Sequence, residues 1–248
     1  MSLSDFAESV PRKTMTLFFI IDTSGSMSGD KIGAVNSAIE EILPELRDIS
    51  DTNADAKIKI AVLEFSSGAR WITASGPVEA ESFAWNFLDA GGVTDLGDAC
   101  IKLNEKLSKN EFMKEAAGSF APALFLMSDG EPTDDYQKGL VLLKQNNWFK
   151  KAIKVAVAIG EDANKEVLKE FTGTSEAVLE AYNVELLKKM IKFVSIRASQ
   201  LASRSCNVGI TANSGGNTVG DKQENFINEL EDFKNEIESG ISDKDIEW

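Results

Sequence analysis

Short, almost wholly apolar runs alternate along this chain with longer amphipathic segments. The runs at residues 14–21, 122–127 and 153–159 lack the polar alternation of a half-exposed strand. Strands of this kind are buried on both faces, as in a parallel sheet covered by helices. The segment 32–46 repeats apolar side chains every three or four residues, which predicts a helix. The alternation therefore predicts an α/β fold: a doubly wound, mostly parallel central sheet with helices on both faces.

The same patterns place the remaining elements of the fold. Further strands are expected at 58–65, 70–73 and 177–179, and further helices at 96–107, 136–147 and 184–203. Pro44 lies inside the first helical pattern and is expected to kink or end that helix. In sheets of this type, ligands bind beyond the carboxyl ends of the strands, so the loops at those ends are the place to look for function.

Composition excludes several classes of site. Histidine is absent, so histidine-based triads and histidine zinc sites are ruled out. The two cysteines, Cys100 and Cys206, are far apart and form no CxxC motif, so neither a disulfide framework nor a thiolate zinc site is suggested. Cys100 shares an apolar helical stripe and is expected to be a small core residue. The net charge of −14 argues against nucleic acid or an anionic membrane as partner. Residues 1–13 lack the order of a secretory signal, so the expected compartment is the cytoplasm.

The acidic residues are distributed unevenly, which suggests a boundary near Cys206. Residues 206–248 carry ten acidic and three basic side chains, half of the net charge. We therefore expect one domain over 1–205, a flexible Gly/Asn/Ser-rich linker over 206–220 and an acidic amphipathic helical tail over 221–248. The apolar stripe of this tail either packs back onto its own domain or docks on another protein. A further hypothesis is that an acidic residue of the tail reaches a metal site.

Three loops at expected strand ends carry clustered oxygen donors. Asp22, Ser24 and Ser26 follow the first strand, Thr94 follows a Gly-Gly turn, and Asp129 follows the strand at 122–127. If these strands are neighbours, the loops converge at one edge of the sheet. A set of carboxylates and neutral hydroxyls suits a hard divalent cation, Mg²⁺ above all with Mn²⁺ or Ca²⁺ as alternatives, rather than zinc or copper.

This pattern resembles the metal-ion-dependent adhesion site of von Willebrand factor A (VWA) domains, which have a Rossmann-like fold. The DxSxS sequence after a buried strand, the threonine after a Gly-Gly turn and the later aspartate match the five family positions in order. The resemblance covers roughly residues 15–205. The segments SDGEPTDD and FVSIRASQLASRS further resemble the bacterial TerY-like, tellurium-resistance-associated branch.

The resemblance implies a binding module that is not an enzyme. In the family, the two serines and the threonine ligate the ion, the aspartates bind it directly or through water, and a partner carboxylate completes the octahedron. TerY-like proteins are associated with a protein kinase and a PP2C-type phosphatase, and with tellurite and stress resistance. Asp95 stands where the branch often has proline, and together with Glu131, Asp134 and Asp135 it predicts an acidic rim or second shell. Such a rim favours cation capture but repels an acidic partner.

Two alternatives remain open at the level of sequence. The loop aspartates could simply cap helices, and the hydroxyl residues could be turn residues. A Mg²⁺-dependent phosphohydrolase that uses Asp22 as nucleophile would also begin with an aspartate after the first strand. Such enzymes carry a second carboxylate where this chain has Ser24, and the chain also lacks the GxxxxGK[ST] phosphate-binding loop.

Overall fold

A computed structural model describes residues 12–54, 56–115, 118–161, 163–204 and 219–240, and in it a seven-stranded sheet forms the centre of the molecule. The strands are β1 (Lys13–Asp22), β2 (Ala56–Ser66), β3 (Gly68–Trp71), β4 (Val78–Glu79), β5 (Ala123–Ser128), β6 (Ile153–Ile159) and β7 (Val178–Ala181). The helices are α1 (Asp30–Thr52), α2 (Leu96–Lys106), α3 (Tyr136–Gln145), α4 (Asn147–Lys151), α5 (Lys165–Thr172), α6 (Val184–Arg204) and α7 (Val219–Gly240).

The strand order places the predicted site loops side by side. The order is β3-β2-β1-β5-β6-β7, with β4 paired to β2. All pairings are parallel except those of β3 and β4, which are antiparallel to β2. The order reverses between β1 and β5, so that the loops after these strands flank a topological switch point, where open α/β sheets bind ligands. The predicted doubly wound, mostly parallel sheet is thus confirmed.

The core consists of two apolar layers, one on each face of the sheet. Alternate residues of β1 enter opposite layers: Phe19 faces α1, α6 and α7, whereas Phe18 faces α2, α3, α4 and α5. Both side chains are almost completely buried. This arrangement explains why the β1 sequence is apolar at nearly every position, because neither face of the strand meets solvent.

The structure corrects two predicted helix boundaries. Of the two expectations for Pro44, a kink or a helix end, the structure excludes the end, because α1 continues to Thr52. Pro44 lies on the exposed side, where water can satisfy the carbonyl that it leaves unbonded, while Ile42 and Leu46 anchor the helix in the core. The helix predicted at 136–147 is two helices, because the Asn146 side chain accepts hydrogen bonds from two backbone amides and so caps α4.

The close approach of α2 and α3 depends on glycine. A Cβ on Gly139 would lie inside van der Waals distance of the Gly97 carbonyl oxygen. Gly139→Ala is therefore expected to destabilise the protein by about 1–3 kcal/mol through overpacking, although alanine is the better helix former. Gly33→Ala in α1 is the matched control, because nothing lies within 4 Å of its Cβ position, and it is expected to stabilise by up to about 1 kcal/mol. Urea denaturation measures the change in the free energy of unfolding for both variants. Equal changes for the two variants would contradict the close approach of α2 and α3.

Helix α7 packs against its own domain. Phe226 and Leu230 are fully buried in the layer that contains α1 and α6. Phe193 of α6 stacks on Phe233 with ring centroids 4.2 Å apart and an interplanar angle of 12°. Lys234 Nζ donates to a backbone carbonyl of β7 at 2.8 Å. Of the two expectations for the apolar stripe, the structure shows the stripe packed on its own chain.

Parts of the predicted domain organisation lie outside the described residues. The predicted linker, 206–220, falls almost wholly outside them, except that α7 already begins at Val219. The acidic residues Asp243, Asp245 and Glu247, which the tail hypothesis directed toward a metal site, lie outside them too. None of the helices in the described part of the chain is long and apolar enough to cross a membrane.

Candidate metal centre

Asp22 is the last residue of β1 and lies at the centre of the candidate site. Its side chain is fully buried, and both carboxylate oxygens accept hydrogen bonds. Oδ1 accepts from the Ser24 backbone amide at 2.8 Å, and Oδ2 accepts from the Ser128 hydroxyl at 2.6 Å. Because Ser128 ends β5, this second bond joins the two strands that flank the switch point. The carboxylate is thereby held in one orientation.

The loop after β1 brings two serine hydroxyls together. Ser24 Oγ and Ser26 Oγ are 3.0 Å apart across a short 3₁₀ turn, Gly25–Met27. Adjacent ligands of an octahedral Mg²⁺ with bonds of about 2.1 Å also lie about 3.0 Å apart. The hydroxyl pair therefore has the spacing of two neighbouring ligands of one ion.

The Gly-Gly turn before Thr94 is tied to the same loop. Gly25 N donates to Gly92 O at 3.0 Å, and Gly91 N donates to the carbonyl of Thr23 at 2.8 Å. Gly92 has a φ of +86°, and a Cβ there would lie 2.5 Å from the Ser67 hydroxyl, so this turn requires glycine.

Thr94 itself is buried and joined to the loop after β5. Its amide donates to Thr133 Oγ1 at 3.0 Å, and Thr133 N donates back to Thr94 O at 2.9 Å. Thr94 is 5% exposed. The three loops predicted to converge are thus connected to one another by hydrogen bonds.

Asp129 presents a carboxylate oxygen that the protein leaves without a partner. The residue is 3% exposed, and its Oδ1 atom is buried without a hydrogen bond. Its Oδ2 atom lies 3.4 Å from Lys31 Nζ. Leaving a buried charged acceptor unsatisfied is costly, because the group loses water and gains nothing in return. A cation or an ordered water molecule at Oδ1 would remove that cost.

The two carboxylates interact unfavourably in the absence of a cation. Burial raises the pKa of the Asp22 carboxyl and the charge of Asp129 raises it further, whereas the hydrogen bonds from Ser128 and Ser24 lower it. A divalent cation would offset both the burial and the mutual repulsion. The donor set thus fits the group that the sequence pattern implies.

The predicted acidic rim is largely used for backbone contacts. Asp95 Oδ2 accepts from the Gly68 amide at 2.7 Å. Asp134 accepts from the amides of Gly97 and Asp98 in the first turn of α2, and burial raises the pKa of the Asp134 carboxyl. These two carboxylates are held in place by amide donors from other segments.

The other two rim residues lie farther along the loop after β5. Glu131 accepts from the side-chain amide of Asn164 at 3.2 Å, and Asp135 pairs with Lys138 at 2.7 Å. Both pairs have exposed members, so the charges are screened by solvent. The rim is therefore less free to attract or repel a ligand than its four negative charges suggest.

Sequence reasoning missed three side chains that shape the site. Ser128 bonds Asp22, Thr133 positions Thr94, and Lys31 pairs with Asp129. Lys31 offered a signal, because a basic residue in the first turn of a helix interacts unfavourably with the helix dipole. Such a residue indicates a compensating contact with a nearby acidic group. Ser128 and Thr133 offered none, because their partners are distant in sequence.

The site is built from hydroxyls as much as from carboxylates. Within the described ranges, no group of three or more carboxylate or thiolate side chains is arranged to hold a metal ion. Cys100 is buried in the α2 layer as predicted, and burial raises the pKa of its thiol to about 12. Asp22, Ser24, Ser26, Thr94 and Asp129 lie on, or directly beside, the three loops that hydrogen bonds join to one another.

Comparison with known proteins identifies the domain family of this fold. The family model of the von Willebrand factor type A domain matches residues 16–195. The inter-alpha-trypsin inhibitor heavy chain H4 of Sus scrofa is 32% identical over 125 residues, which are 47% of this chain and 12% of that protein. This chain thus spans only a small part of that curated relative's length.

Solved structures share the fold at low sequence identity. The von Willebrand factor type A protein from Catenulispora acidiphila superposes with a TM-score of 0.55 at 19% identity, over 75% of this chain and 43% of that one. Proximal thread matrix protein 1 from the mussel byssus, solved with a zinc-occupied MIDAS motif, gives 0.54 at 16% identity, over 76% and 48% of the two chains. VWA domains are generally metal-dependent protein-interaction modules without enzymatic activity. From its matched family model and its fold, this chain belongs to the von Willebrand factor type A domain family.

Proposed function

We propose that this chain binds a partner protein through a divalent cation, Mg²⁺ above all. In this proposal the hydroxyls of Ser24, Ser26 and Thr94 ligate the ion, and Asp22 and Asp129 hold it directly or through water. The observation that carries the proposal is the buried, unpartnered Oδ1 of Asp129 at the same sheet edge as the Ser24–Ser26 hydroxyl pair. When bound, the ion would supply a Lewis-acidic docking point for a carboxylate of the partner.

The donor set supports a carboxylate as the partner's ligand. Neutral hydroxyls neutralise little of the charge of an ion, and the preferred octahedron of Mg²⁺ readily keeps exchangeable positions. A partner carboxylate would gain a charge-assisted bond at such a position. The hydrogen bonds accepted by Asp95, Glu131 and Asp134 and the ion pair of Asp135 reduce the repulsion that such a carboxylate would meet.

The geometry favours binding over phosphoester hydrolysis. A nucleophilic aspartate needs a carboxylate oxygen that can reach the substrate. Asp22 is fully buried, and both of its oxygens already accept hydrogen bonds. The alternative that uses Asp22 as nucleophile is therefore not supported by the structure.

The proposal also includes the cellular system in which the protein acts. The resemblance of SDGEPTDD at the loop after β5 to the TerY-like branch supports a bacterial stress or tellurite-resistance system, with a protein kinase or PP2C-type phosphatase as partner. The cytoplasm is the compartment proposed for this system. The charge of −14 supports a protein partner rather than nucleic acid or a membrane. Zinc belongs among the ions to be tested, because a mussel byssus protein of the same fold was solved with a zinc-occupied MIDAS motif.

Capture of partners from a native bacterial lysate tests this function. We expect immobilised protein to retain a partner in Mg²⁺ and to release it in EDTA, with re-addition of Mg²⁺, Mn²⁺, Ca²⁺ or Zn²⁺ showing which ion restores binding. Thr94→Ala should retain no metal-dependent partner, whereas Thr52→Ala, which removes an exposed hydroxyl at the end of α1, should behave like the wild type. Retention that is equal in EDTA and in Mg²⁺ would refute the metal-dependent mode.

A further inference from the structure

Lys31 is a basic side chain that contacts Asp129, one of the residues proposed to hold the cation. It is the second residue of α1, directly after the loop that carries Ser24 and Ser26. Its Nζ atom lies 3.4 Å from Asp129 Oδ2, with the two side chains 17% and 4% exposed. This ammonium group is thus held against one of the two carboxylates proposed to hold the cation.

The position of Lys31 is unfavourable for the helix itself. The amino-terminal turn of a helix carries a partial positive charge and favours acidic side chains over basic ones. Asp30 precedes Lys31 and satisfies that preference, but Lys31 opposes it. A reason for a lysine here must therefore come from outside the helix, and its contact with Asp129 supplies one.

The charges at the site give Lys31 a specific consequence. Asp22 and Asp129 together contribute two negative charges, which would just neutralise a divalent cation. Lys31 adds one positive charge within ion-pair distance of Asp129, so a bound divalent cation, these two carboxylates and Lys31 would together carry a net charge of +1. One carboxylate from a partner would bring that net charge to zero.

We infer that Lys31 sets two affinities of the site in opposite directions. It weakens the binding of the cation, and its positive charge strengthens the binding of a single carboxylate once the cation is bound. This inference rests on the proposed function and identifies a positioning and specificity residue for it. In the unloaded protein, Lys31 competes with the cation for Asp129. In the loaded protein, its charge adds to the attraction for an anionic ligand, because Coulomb interactions are strong where water is largely excluded.

Removal of the Lys31 charge should have opposite effects on the binding of the cation and on the binding of a carboxylate to the cation-loaded protein. With Lys31→Met, Mg²⁺ should bind on the order of three- to tenfold more tightly in calorimetric titration at low salt. The second step is measured on Mn²⁺-loaded protein by water-proton relaxation, with acetate as the probe that displaces metal-bound water. Acetate should bind at least about threefold more weakly to the Lys31→Met protein than to the wild type.

Two control variants distinguish the effect of losing the Lys31 charge from the effect of a structural defect. Lys31→Arg keeps the charge and should retain both affinities within about twofold. Lys57→Met removes one positive charge from a solvent-exposed pair with Glu79 at the amino end of β2, the opposite end of the strand from the candidate site, and should change neither affinity. A structural defect would weaken both steps together, so weaker Mg²⁺ binding by Lys31→Met would overturn the inference, as would values equal to those of the wild type. Failure of the wild type to bind any divalent cation would instead overturn the proposed function itself.

Discussion

Phe226→Ala is expected to destabilise the protein by about 3–5 kcal/mol, the cost of deleting a large aromatic side chain from a packed core. Phe226 is fully buried and belongs to the apolar layer between the sheet, α1 and α6. Its ring lies 6.4 Å from that of Phe193, which also stacks on Phe233. Truncation therefore leaves a cavity and weakens the attachment of α7 to the domain. Urea denaturation followed by tryptophan fluorescence measures the loss.

Glu231→Ala is the matched control for Phe226→Ala. Glu231 lies on the exposed side of α7, and alanine and glutamate have similar helix propensities, so the free energy of unfolding should change by less than about 0.5 kcal/mol. If both variants unfolded at the wild-type urea concentration, α7 would not be part of the folded core. The acidic tail would then be free to dock on another protein, which was the other sequence-based expectation for its apolar stripe.

The central strands were predictable because burial on both faces leaves a strong signal in sequence. β1, β5 and β6 appear as apolar runs with nearly correct ends, and their parallel order follows from the helices between them. β4 has two residues and α5 has eight, too few for a periodic pattern to stand out. The positions of these short elements depend on contacts with neighbouring segments, which the local sequence pattern does not show.

Helix ends were less predictable because local rules compete with tertiary packing. Pro44 is a helix breaker by its own chemistry, yet Ile42 and Leu46 hold the helix against the sheet on both sides of it. Asn146 divides the segment 136–147 because its side chain also donates to carbonyl oxygens of Asn104 and Leu107 at the end of α2. Those contacts depend on where α2 lies, which periodicity in one segment cannot show.

The candidate site was predictable where its residues follow one another in a motif. Asp22, Ser24 and Ser26 have a fixed spacing, and the topology brings Thr94 and Asp129 to the same edge. The contributions of their supporting side chains depend on long-range contacts. Ser128 bonds a carboxylate 106 positions away, and Lys31 pairs with one 98 positions away. Such contacts are visible only once the strand order is known.

Thr94→Ala is expected to reduce Mg²⁺ affinity by at least about 100-fold. Loss of a residue that only supports a metal ligand commonly costs 10–100-fold, and loss of a proposed direct ligand should cost no less. The fold should survive, because the backbone hydrogen bonds of Thr94 with Thr133 do not involve the deleted hydroxyl. The free energy of unfolding of the metal-free variant should therefore lie within about 1–2 kcal/mol of that of the metal-free wild type.

Stability measured with and without Mg²⁺ separates the loss of a ligand from the loss of the fold. A cation that binds only the folded state stabilises it by about 2.7 kcal/mol at a concentration 100 times its Kd. The wild type and Thr52→Ala should show this gain at saturating Mg²⁺, whereas Thr94→Ala should show almost none at the same concentration. A gain in Thr94→Ala equal to that of the wild type would place the ion elsewhere in the molecule.

The central claim is that the oxygen donors at the β1–β5 switch point hold a divalent cation, and calorimetric titration of wild type and Thr94→Ala with Mg²⁺ tests it most directly. We expect one binding site per wild-type chain and a loss of at least about 100-fold in affinity in the variant, with Thr52→Ala unchanged. Unaltered Mg²⁺ binding by Thr94→Ala, or no binding of any divalent cation by the wild type, would contradict the claim.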